Sequence, residues 1–245
     1  MKQAVFTLSA IRPLAEGIYE MRLEGDTASL HSPGQFVNLS IPGLFLRRPI
    51  SVCDYADGAL TLIVRVVGKG TEALTKLPTG SRLDLLCGLG NGFDSTRSGS
   101  QPLLIGGGVG CAPLFGLCRT LRAAGCAVNV LMGFRRAEEV FYVEAFEALG
   151  AAVHVATEDG SMGTKGFVTD LIPQFDATFF YACGPEAMYR AMHTRLHTKG
   201  QYSYEARMGC GFGACVGCSM ETADGIKRVC KDGPVFESEA LLWKN

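Results

Sequence analysis

Four cysteines near the C-terminus, Cys210, Cys215, Cys218 and Cys230, are the residues of this chain best suited to chemistry. They follow the spacing C-x4-C-x2-C, with eleven further residues before the fourth. Plant-type [2Fe–2S] clusters are held by thiolates at this spacing, and such a cluster exchanges single electrons. Thiolates reach two irons only where the backbone wraps closely around the inorganic core, and Gly209, Gly211, Gly213 and Gly217 permit that approach. Structural zinc also accepts four thiolates, but commonly from paired C-x2-4-C knuckles, whereas here three cysteines share one loop. Disulfides are the remaining alternative. Cys53, Cys87, Cys111, Cys118, Cys126 and Cys183 lie outside the loop without framework spacing, as free thiols packed into cores in a reducing cytoplasm would.

A second chemistry is suggested by Gly106-Gly-Gly-Val-Gly110, which follows the apolar run Pro102–Ile105 and precedes Ala112-Pro113, where proline suits the first helical position. Backbone N–H groups at a strand-to-helix turn, with the positive end of the helix, receive a pyrophosphate. The G-x-G-x-x-G pattern is incomplete, because Cys111 stands where its last glycine would be, and a plain turn also uses glycine. Cys183-Gly184-Pro185 ends another apolar run, near where a nicotinamide would sit; by itself a Gly-Pro there is more often only a turn. In Arg47-Arg48-Pro49-Ile50-Ser51-Val52 the arginines can hold phosphate oxygens bidentately, or form an ordinary solvated pair. His193 and His197 stand four apart on an expected helix with no third ligand, so they read as exposed histidines. Glu138-Glu139 and Glu158-Asp159 read as surface acids or turn residues, and Trp243 as an anchor for the tail.

These residues need elements to position them. Up to about residue 98, Tyr19-x-Met21-x-Leu23, Val37-x-Leu39-x-Ile41, Leu60-x-Leu62-x-Val64-x-Val66 and Leu83-x-Leu85 alternate with period two between Gly, Pro and Asp punctuation. That pattern predicts an antiparallel barrel or sandwich, with Arg47–Val52 between two of its strands. From Pro102 the texture changes to strands at 102–105, 127–132, 152–156 and 177–182. Helices are expected from Ala112 to Gly125, over 138–149, and from Pro185 to about Lys199. Alternating strands and helices imply a parallel sheet that binds a nucleotide at its strand C-termini. The expected organisation is a multidomain β and α/β chain: an antiparallel β-barrel over 1–98, an α/β nucleotide-binding domain over 99–200, and a small cysteine-loop module over 201–245. The polar stretch Ser95–Gln101 forms the first boundary.

At 245 residues, 47% of them hydrophobic, the chain can fill such cores. A net charge of −1, with no basic stripe, points away from nucleic acid. The alternating pattern starts almost at Met1, so no secretory signal is expected. Ser98–Cys118 is uncharged, but its six glycines and two prolines suit a buried strand and ligand loop better than a membrane span.

In this order, barrel, Arg48-x-x-Ser51, glycine loop, Cys183-Gly184-Pro185 and cysteine loop resemble the ferredoxin–NADP reductase superfamily. Gly68-Lys-Gly-Thr71, Gly160-Ser-Met-Gly-Thr-Lys-Gly-Phe-Val-Thr-Asp170, Tyr181–Pro185, Met208–Cys218 and Val229-Cys-Lys-Asp-Gly-Pro-Val-Phe236 sharpen the likeness. Over essentially its whole length the chain is similar to one family within it, the electron transfer subunits of dihydroorotate dehydrogenase B. The resemblance implies a β-barrel FAD domain, a parallel-sheet NAD domain and a C-terminal [2Fe–2S] module. It places Arg48, Pro49, Ile50 and Ser51 on FAD, Arg48 at the pyrophosphate and Ser51 near the isoalloxazine N5. Val64, Arg65, Val66, Gly70 and Thr71 match its other FAD segments. Gly107, Gly108 and Gly110 would receive the NAD pyrophosphate, Cys183, Gly184 and Pro185 would lie near the nicotinamide, and the four loop cysteines would ligate the cluster.

By the same resemblance, a partner subunit oxidises dihydroorotate at its own FMN, within a cytoplasmic heterotetramer of two copies of each chain that serves pyrimidine biosynthesis. Electrons pass through the cluster and FAD to NAD⁺, and no side chain of this chain acts as general acid or base. FAD explains the combination, since a flavin exchanges hydride with nicotinamide and single electrons with a cluster. Two features depart from the wider superfamily. The chain continues past the point where many members end in an aromatic residue over the flavin. Gly133-Phe-Arg-Arg136 also offers two guanidinium groups for a 2′-phosphate, leaving NADP open where the family implies NAD. Related subunits of a sulfide dehydrogenase or sulfhydrogenase share the same parts. A zinc-binding module without enzymatic activity would be colourless, unlike a flavin and iron–sulfur protein.

Overall fold

Alternate side chains of a strand share one face, and strand β6 (Arg82–Leu89) buries Leu83, Leu85, Cys87 and Leu89 while Asp84 and Leu86 are only partly covered. In the computed structural model, which describes residues 1–243, five further strands take part in the same construction. They are β1 (Lys2–Ala15), β2 (Ile18–Glu24), β3 (Phe36–Leu39), β4 (Arg48–Ala56) and β5 (Ala59–Arg65). The order β1-β2-β5-β4-β3-β6 closes into an antiparallel barrel, because the long β1 pairs with both β2 and β6. Phe6, Leu8, Met21, Leu39 and Leu62 fill its interior.

Arg47–Val52, expected between strands, instead begins β4, with Arg48 opposite Leu39 and Ser51 opposite Phe36. The alternation fails there because Arg48 to Ser51 are all half-buried and all line a cleft, with Ile50 also packing on the barrel core. Helix α1 (Lys69–Thr75) had no counterpart in the sequence reading.

Past the polar stretch, where Asp94 caps a short turn by accepting from the Thr96 N–H at 3.0 Å, the second sheet begins. Its strands are β7 (Pro102–Gly107), β8 (Asn129–Phe134), β9 (Ala152–Thr157), β10 (Thr164–Lys165), β11 (Phe179–Cys183) and β12 (Gly200–Ser203). A hairpin of β13 (Ser219–Thr222) and β14 (Gly225–Arg228) follows, and β15 (Val235–Glu237) returns to the sheet. The order is β10-β9-β8-β7-β11-β12-β15, parallel except for β15, which runs antiparallel to β12. The expected boundary between residues 200 and 201 therefore falls inside β12, and residues 244–245 of the expected module lie outside the described residues.

Helix α2 (Ala112–Ala123) starts at its proline and stops before Gly125, as its sequence predicts. The helix expected over 138–149 is different: a 3-10 turn at Ala137–Glu139, an extended Val140–Phe141, then α3 (Val143–Ala148). Phe141 is buried in the core, and Tyr142 takes φ 66°, which breaks the helix. Helix α4 (Glu186–His193) ends short of Lys199, with Arg195 and Leu196 N–H groups turning back onto the Met192 carbonyl. A one-turn helix, α5 (Val229–Asp232), carries the last loop cysteine.

One face of the sheet packs α2 against Cys53 and Ile63 of the barrel, and the other packs α4 together with Cys218, Val229 and Cys230. The cysteine segment is thus built into the sheet's own core. All six cysteines outside the loop are buried, and burial pushes the thiols of Cys87 and Cys118 up to about 11 and about 12 respectively. Cys87 and Cys118 are packing residues, inert at neutral pH.

The seam between barrel and sheet holds a buried carboxylate. Glu20, 2% exposed, accepts from Arg12 Nε and Nη2 at 2.9 and 3.1 Å, from Arg22 Nε at 3.1 Å, and from the Tyr142 hydroxyl. Burial works to raise its pKa, but the Arg12 and Tyr142 hydrogen bonds and the two guanidinium charges prevail and lower it. A lowered folded pKa means that the stabilisation is complete above the unfolded value of about 4.3 and is lost as pH falls through the folded one. Urea unfolding between pH 7 and 3 is expected to show this loss, and Glu20→Gln to flatten it. Tyr142→Phe is expected to destabilise by about 1–3 kcal/mol, since it leaves a buried acceptor short of one donor. A change within about 0.5 kcal/mol would mean that the hydroxyl supports nothing.

Candidate functional site

Two clefts meet where the barrel faces the C-terminal ends of the parallel strands. The first, about 390 Å³, is walled by Arg48, Pro49, Ile50 and Ser51 of β4, by Arg65 and Thr71, and by Gly110 and Cys183. The second, about 540 Å³, is walled by Gly107, Gly108, Gly184 and Pro185 and by Arg135, Glu139 and Glu158. Arg65, Val109 and Glu205 border both, so the two are continuous.

The two arginines of Arg47-Arg48 part company. Arg47 is structural: it pairs with Asp84 at 2.7 Å and donates to the Asn38 and Asp84 carbonyls. Arg48 donates only to the Leu46 and Arg47 carbonyls, and neither Arg48 nor Arg65 is ion-paired among the described residues. Gly70 makes room for it, as a Cβ there would lie 2.4 Å from Arg48 Nε. Thr71 shapes the adjoining turn, its hydroxyl accepting from the Val67 N–H at 2.9 Å and the Gly68 N–H at 3.3 Å. Val64 is different, because its side chain lies in the barrel core; Val66 lines neither cleft and donates its N–H to the Gly17 carbonyl at 2.8 Å.

The glycine loop turns from β7 into α2 against the end of β11. A Cβ on Gly110 would lie 2.2 Å from the Cys183 carbonyl oxygen, so only glycine brings the two loops together here. Cys183 is buried and its thiol pKa is raised, chiefly by that burial, leaving it a neutral S–H.

Sequence reading missed Tyr204, Glu205, Ala206 and Met208, which line the first cleft. They follow β12, at a strand C-terminus where α/β sheets bind ligands, but β12 itself had not been recognised. Glu205 reaches solvent through the cleft, yet protein surrounds it closely enough that burial raises its carboxyl pKa against the pull of Arg65. Glu139, expected as a surface acid or turn residue, does end a 3-10 turn but is only 8% exposed and forms part of the second cleft. His193 stacks on Trp243 with ring centroids 5.0 Å apart, and Trp243 also packs on Tyr202, anchoring the tail.

The cysteine loop lies beyond the first cleft. Its four thiols form two pairs: the side chains of Cys210 and Cys215 are in contact, and so are those of Cys218 and Cys230. Cys210 Sγ accepts from the N–H groups of Ala214, Cys215 and Phe212 at 3.3, 3.4 and 3.5 Å. Burial acts to raise the Cys210 pKa, but these donors, that of Cys215 foremost, bring it down to about 6. Cys218 Sγ accepts from the Cys230 N–H at 3.4 Å, and burial lifts the Cys230 thiol to about 12. Gly211, at φ 79°, sits so close to Asn38 that a Cβ would lie 2.5 Å from its Nδ2, which donates to the Cys210 carbonyl at 3.0 Å. Among the described residues no three His, Cys, Asp or Glu side chains gather closely enough for a single metal ion. Two thiol pairs with N–H donors turned onto sulfur suit a two-iron core, one pair to each iron, better than one tetrahedral zinc.

Comparison with known proteins agrees with this geometry. Residues 205–242 match the profile of the iron–sulfur cluster binding domain of dihydroorotate dehydrogenase B, and residues 104–194 that of an oxidoreductase NAD-binding domain. The electron transfer subunit of dihydroorotate dehydrogenase B (NAD⁺) from Geobacillus sp. (strain WCH70) is 42% identical, over 99% of each chain. The chain belongs to the family of dihydroorotate dehydrogenase B electron transfer subunits. Its member from Listeria monocytogenes serotype 4a (strain HCC23) is 43% identical over 93% of this chain and 94% of that one. A solved NADH-dependent reduced ferredoxin–NADP oxidoreductase is similar in structure, with a TM-score of 0.86 at 28% identity, over 97% of this chain and 90% of that one. Membership of a family of electron transfer subunits implies a catalytic partner subunit. Among the described residues no helix is long and apolar enough to cross a membrane.

Proposed function

We propose that this chain relays electrons from a dihydroorotate-oxidising flavoprotein to NAD⁺, carrying FAD in the first cleft, a [2Fe–2S] cluster on the cysteine loop and the dinucleotide in the second cleft. The carrying observation is that the first cleft adjoins both other places. Arg65, Val109 and Glu205 are shared by both clefts, and Met208, two residues before Cys210, also lines the first. Anything held in the first cleft therefore neighbours both nucleotide and cysteine loop.

When bound, the flavin exchanges a hydride with nicotinamide and single electrons with the cluster. The chain's own residues hold and order these groups. Arg48 would offer an unpaired guanidinium to the FAD pyrophosphate, and Pro49, Ile50 and Ser51 on the same cleft wall would border the flavin. Arg65, with the backbone of Val64 and Val66 on either side, and Thr71, next to Gly70, line the same cleft. Gly107 and Gly108 would receive the NAD pyrophosphate before α2, and Gly110, on the first cleft, keeps that loop packed against the end of β11. Cys183, Gly184 and Pro185 border the nicotinamide, and the protonated Cys183 thiol places no charge against it. Cys210 and Cys215 would hold one iron of the cluster, and Cys218 and Cys230 the other. No side chain here serves dihydroorotate as acid or base; that site belongs to the FMN-containing partner, in a cytoplasmic heterotetramer of two copies of each chain. Barrel, nucleotide domain and cluster module over 1–98, 99–200 and 201–245 then carry the three tasks, with β12 spanning the last boundary and Tyr204, Glu205 and Ala206 of the third reaching into the first cleft.

The purified chain is expected to be coloured, to contain about one FAD and two irons per polypeptide, and to oxidise NADH with ferricyanide as acceptor. Stoichiometric zinc without flavin would contradict this reading.

A further inference from the structure

At the end of the second parallel strand, where an NAD-binding site commonly places an acid for the ribose diol, this chain carries Arg135 and Arg136. Guanidinium groups at that point are the usual receptors of a 2′-phosphate, so by residue type alone the site reads as one for NADP. The pairing of these side chains reverses that reading. Arg135 is held by Glu139, four residues on, and Arg136 by Glu16 at the end of the barrel's first hairpin. The pKa of Arg135 is raised by its hydrogen bond to Glu139, with further pull from the charges of Glu158 and Glu16. Arg195, also on the cleft wall, is engaged by Asp170 at 2.6 Å.

Three carboxylates, Glu16, Glu139 and Glu158, thus face two guanidinium groups. Glu139 and Glu158 line the cleft itself, and Glu158 enters no ion pair among the described residues. Arg65, Arg135 and Arg195 balance Glu139, Glu158 and Glu205 on the cleft lining, but Arg135 and Arg195 are engaged and Glu158 is not, so a 2′-phosphate would meet an uncommitted carboxylate, whereas a free 2′-hydroxyl can donate to it.

We infer that Glu139, which takes Arg135 out of use, and Glu158, which stands ready for the ribose, are the residues that make the second cleft select NAD over NADP. This rests on the proposed assignment of that cleft to the dinucleotide. Glu139 is a specificity residue acting through Arg135. Its side chain is largely buried, so the lock is built into the fold, and Glu158 is exposed at the rim.

The test is calorimetric binding of adenosine 2′,5′-bisphosphate and of 5′-AMP to the flavin-loaded protein, with NADPH and NADH oxidation by ferricyanide alongside. Wild type is expected to prefer 5′-AMP and NADH. Glu139→Gln, which keeps shape and removes charge, is expected to shift both ratios toward the 2′-phosphorylated ligand by about tenfold or more, the scale of one charge-assisted hydrogen bond. Adding Arg135→Gln to Glu139→Gln is expected to cancel that gain, which a general loosening of the cleft would not do. Glu158→Gln, at the solvent-exposed rim, should move the ratios the same way by a smaller factor and serves if the Glu139 variant does not fold. Ratios unchanged in both glutamate variants, or a gain that persists without Arg135, would overturn the inference. Binding of neither adenosine ligand to wild type would overturn the nucleotide assignment beneath it, an outcome distinct from binding without preference.

Discussion

Cys215→Ser abolishes dihydroorotate-linked NAD⁺ reduction while leaving NADH oxidation by ferricyanide within about twofold of wild type. A cluster with one of its thiolates gone loses iron, and the electron path to the partner goes with it. The nucleotide and flavin clefts are untouched, because Cys215 is the exposed member of its pair and neither cleft includes it. Beside Cys210, its neighbours in the loop include Gly209 and Gly217, on which a Cβ would lie 3.2 and 3.6 Å from Cys215 Sγ. Serine therefore fits sterically, and the fold should change by no more than about 0.5 kcal/mol. Iron analysis, the visible spectrum and the two assays together check this. Loss of both activities with the fold intact would mean that the cluster loop and the two clefts are not separate parts.

Arg48→Ala releases FAD. The guanidinium is committed to no carboxylate, so its work is available for an anionic ligand, and removing a charge-assisted hydrogen bond to phosphate is worth about 1.5–3 kcal/mol. That corresponds to flavin binding weakened by about one to two orders of magnitude. Gel filtration of diluted protein followed by flavin quantification reads the loss. Arg47→Ala provides the contrast: it breaks the 2.7 Å pair with Asp84 and lowers stability without a matching loss of flavin. Equal retention by the Arg48 variant and wild type would remove Arg48 from the flavin site.

What was legible in the sequence was local. The cysteine spacing fixes a loop whose members are at most twenty residues apart, and the strand–glycine–proline order fixes the turn into α2 with no knowledge of the rest. Period two revealed most barrel strands because their interior faces are uniformly apolar, and it failed at β4 because that strand's first half faces a cleft. Arg47 and Arg48 are indistinguishable as letters; Asp84, on another strand, separates them. Tyr204 to Met208 enter the site only because β12 pairs beside β11 and so ends at the cleft, a consequence of tertiary pairing that no short pattern encodes. The same holds for Arg136, whose partner Glu16 lies on the other domain. The helix misread over 138–149 fails for a related reason: Tyr142 leaves helical geometry, and its hydroxyl reaches Glu20 across the seam.

The central claim is tested most directly by dihydroorotate-dependent NAD⁺ reduction, measured with this chain co-expressed with the dihydroorotate-oxidising flavoprotein of the same organism and with each chain alone. Activity in the pair and in neither chain alone is the predicted result. An inactive pair in which this chain is coloured, holds iron and FAD, and oxidises NADH would contradict the proposed partner and assign the same electron relay to another oxidoreductase.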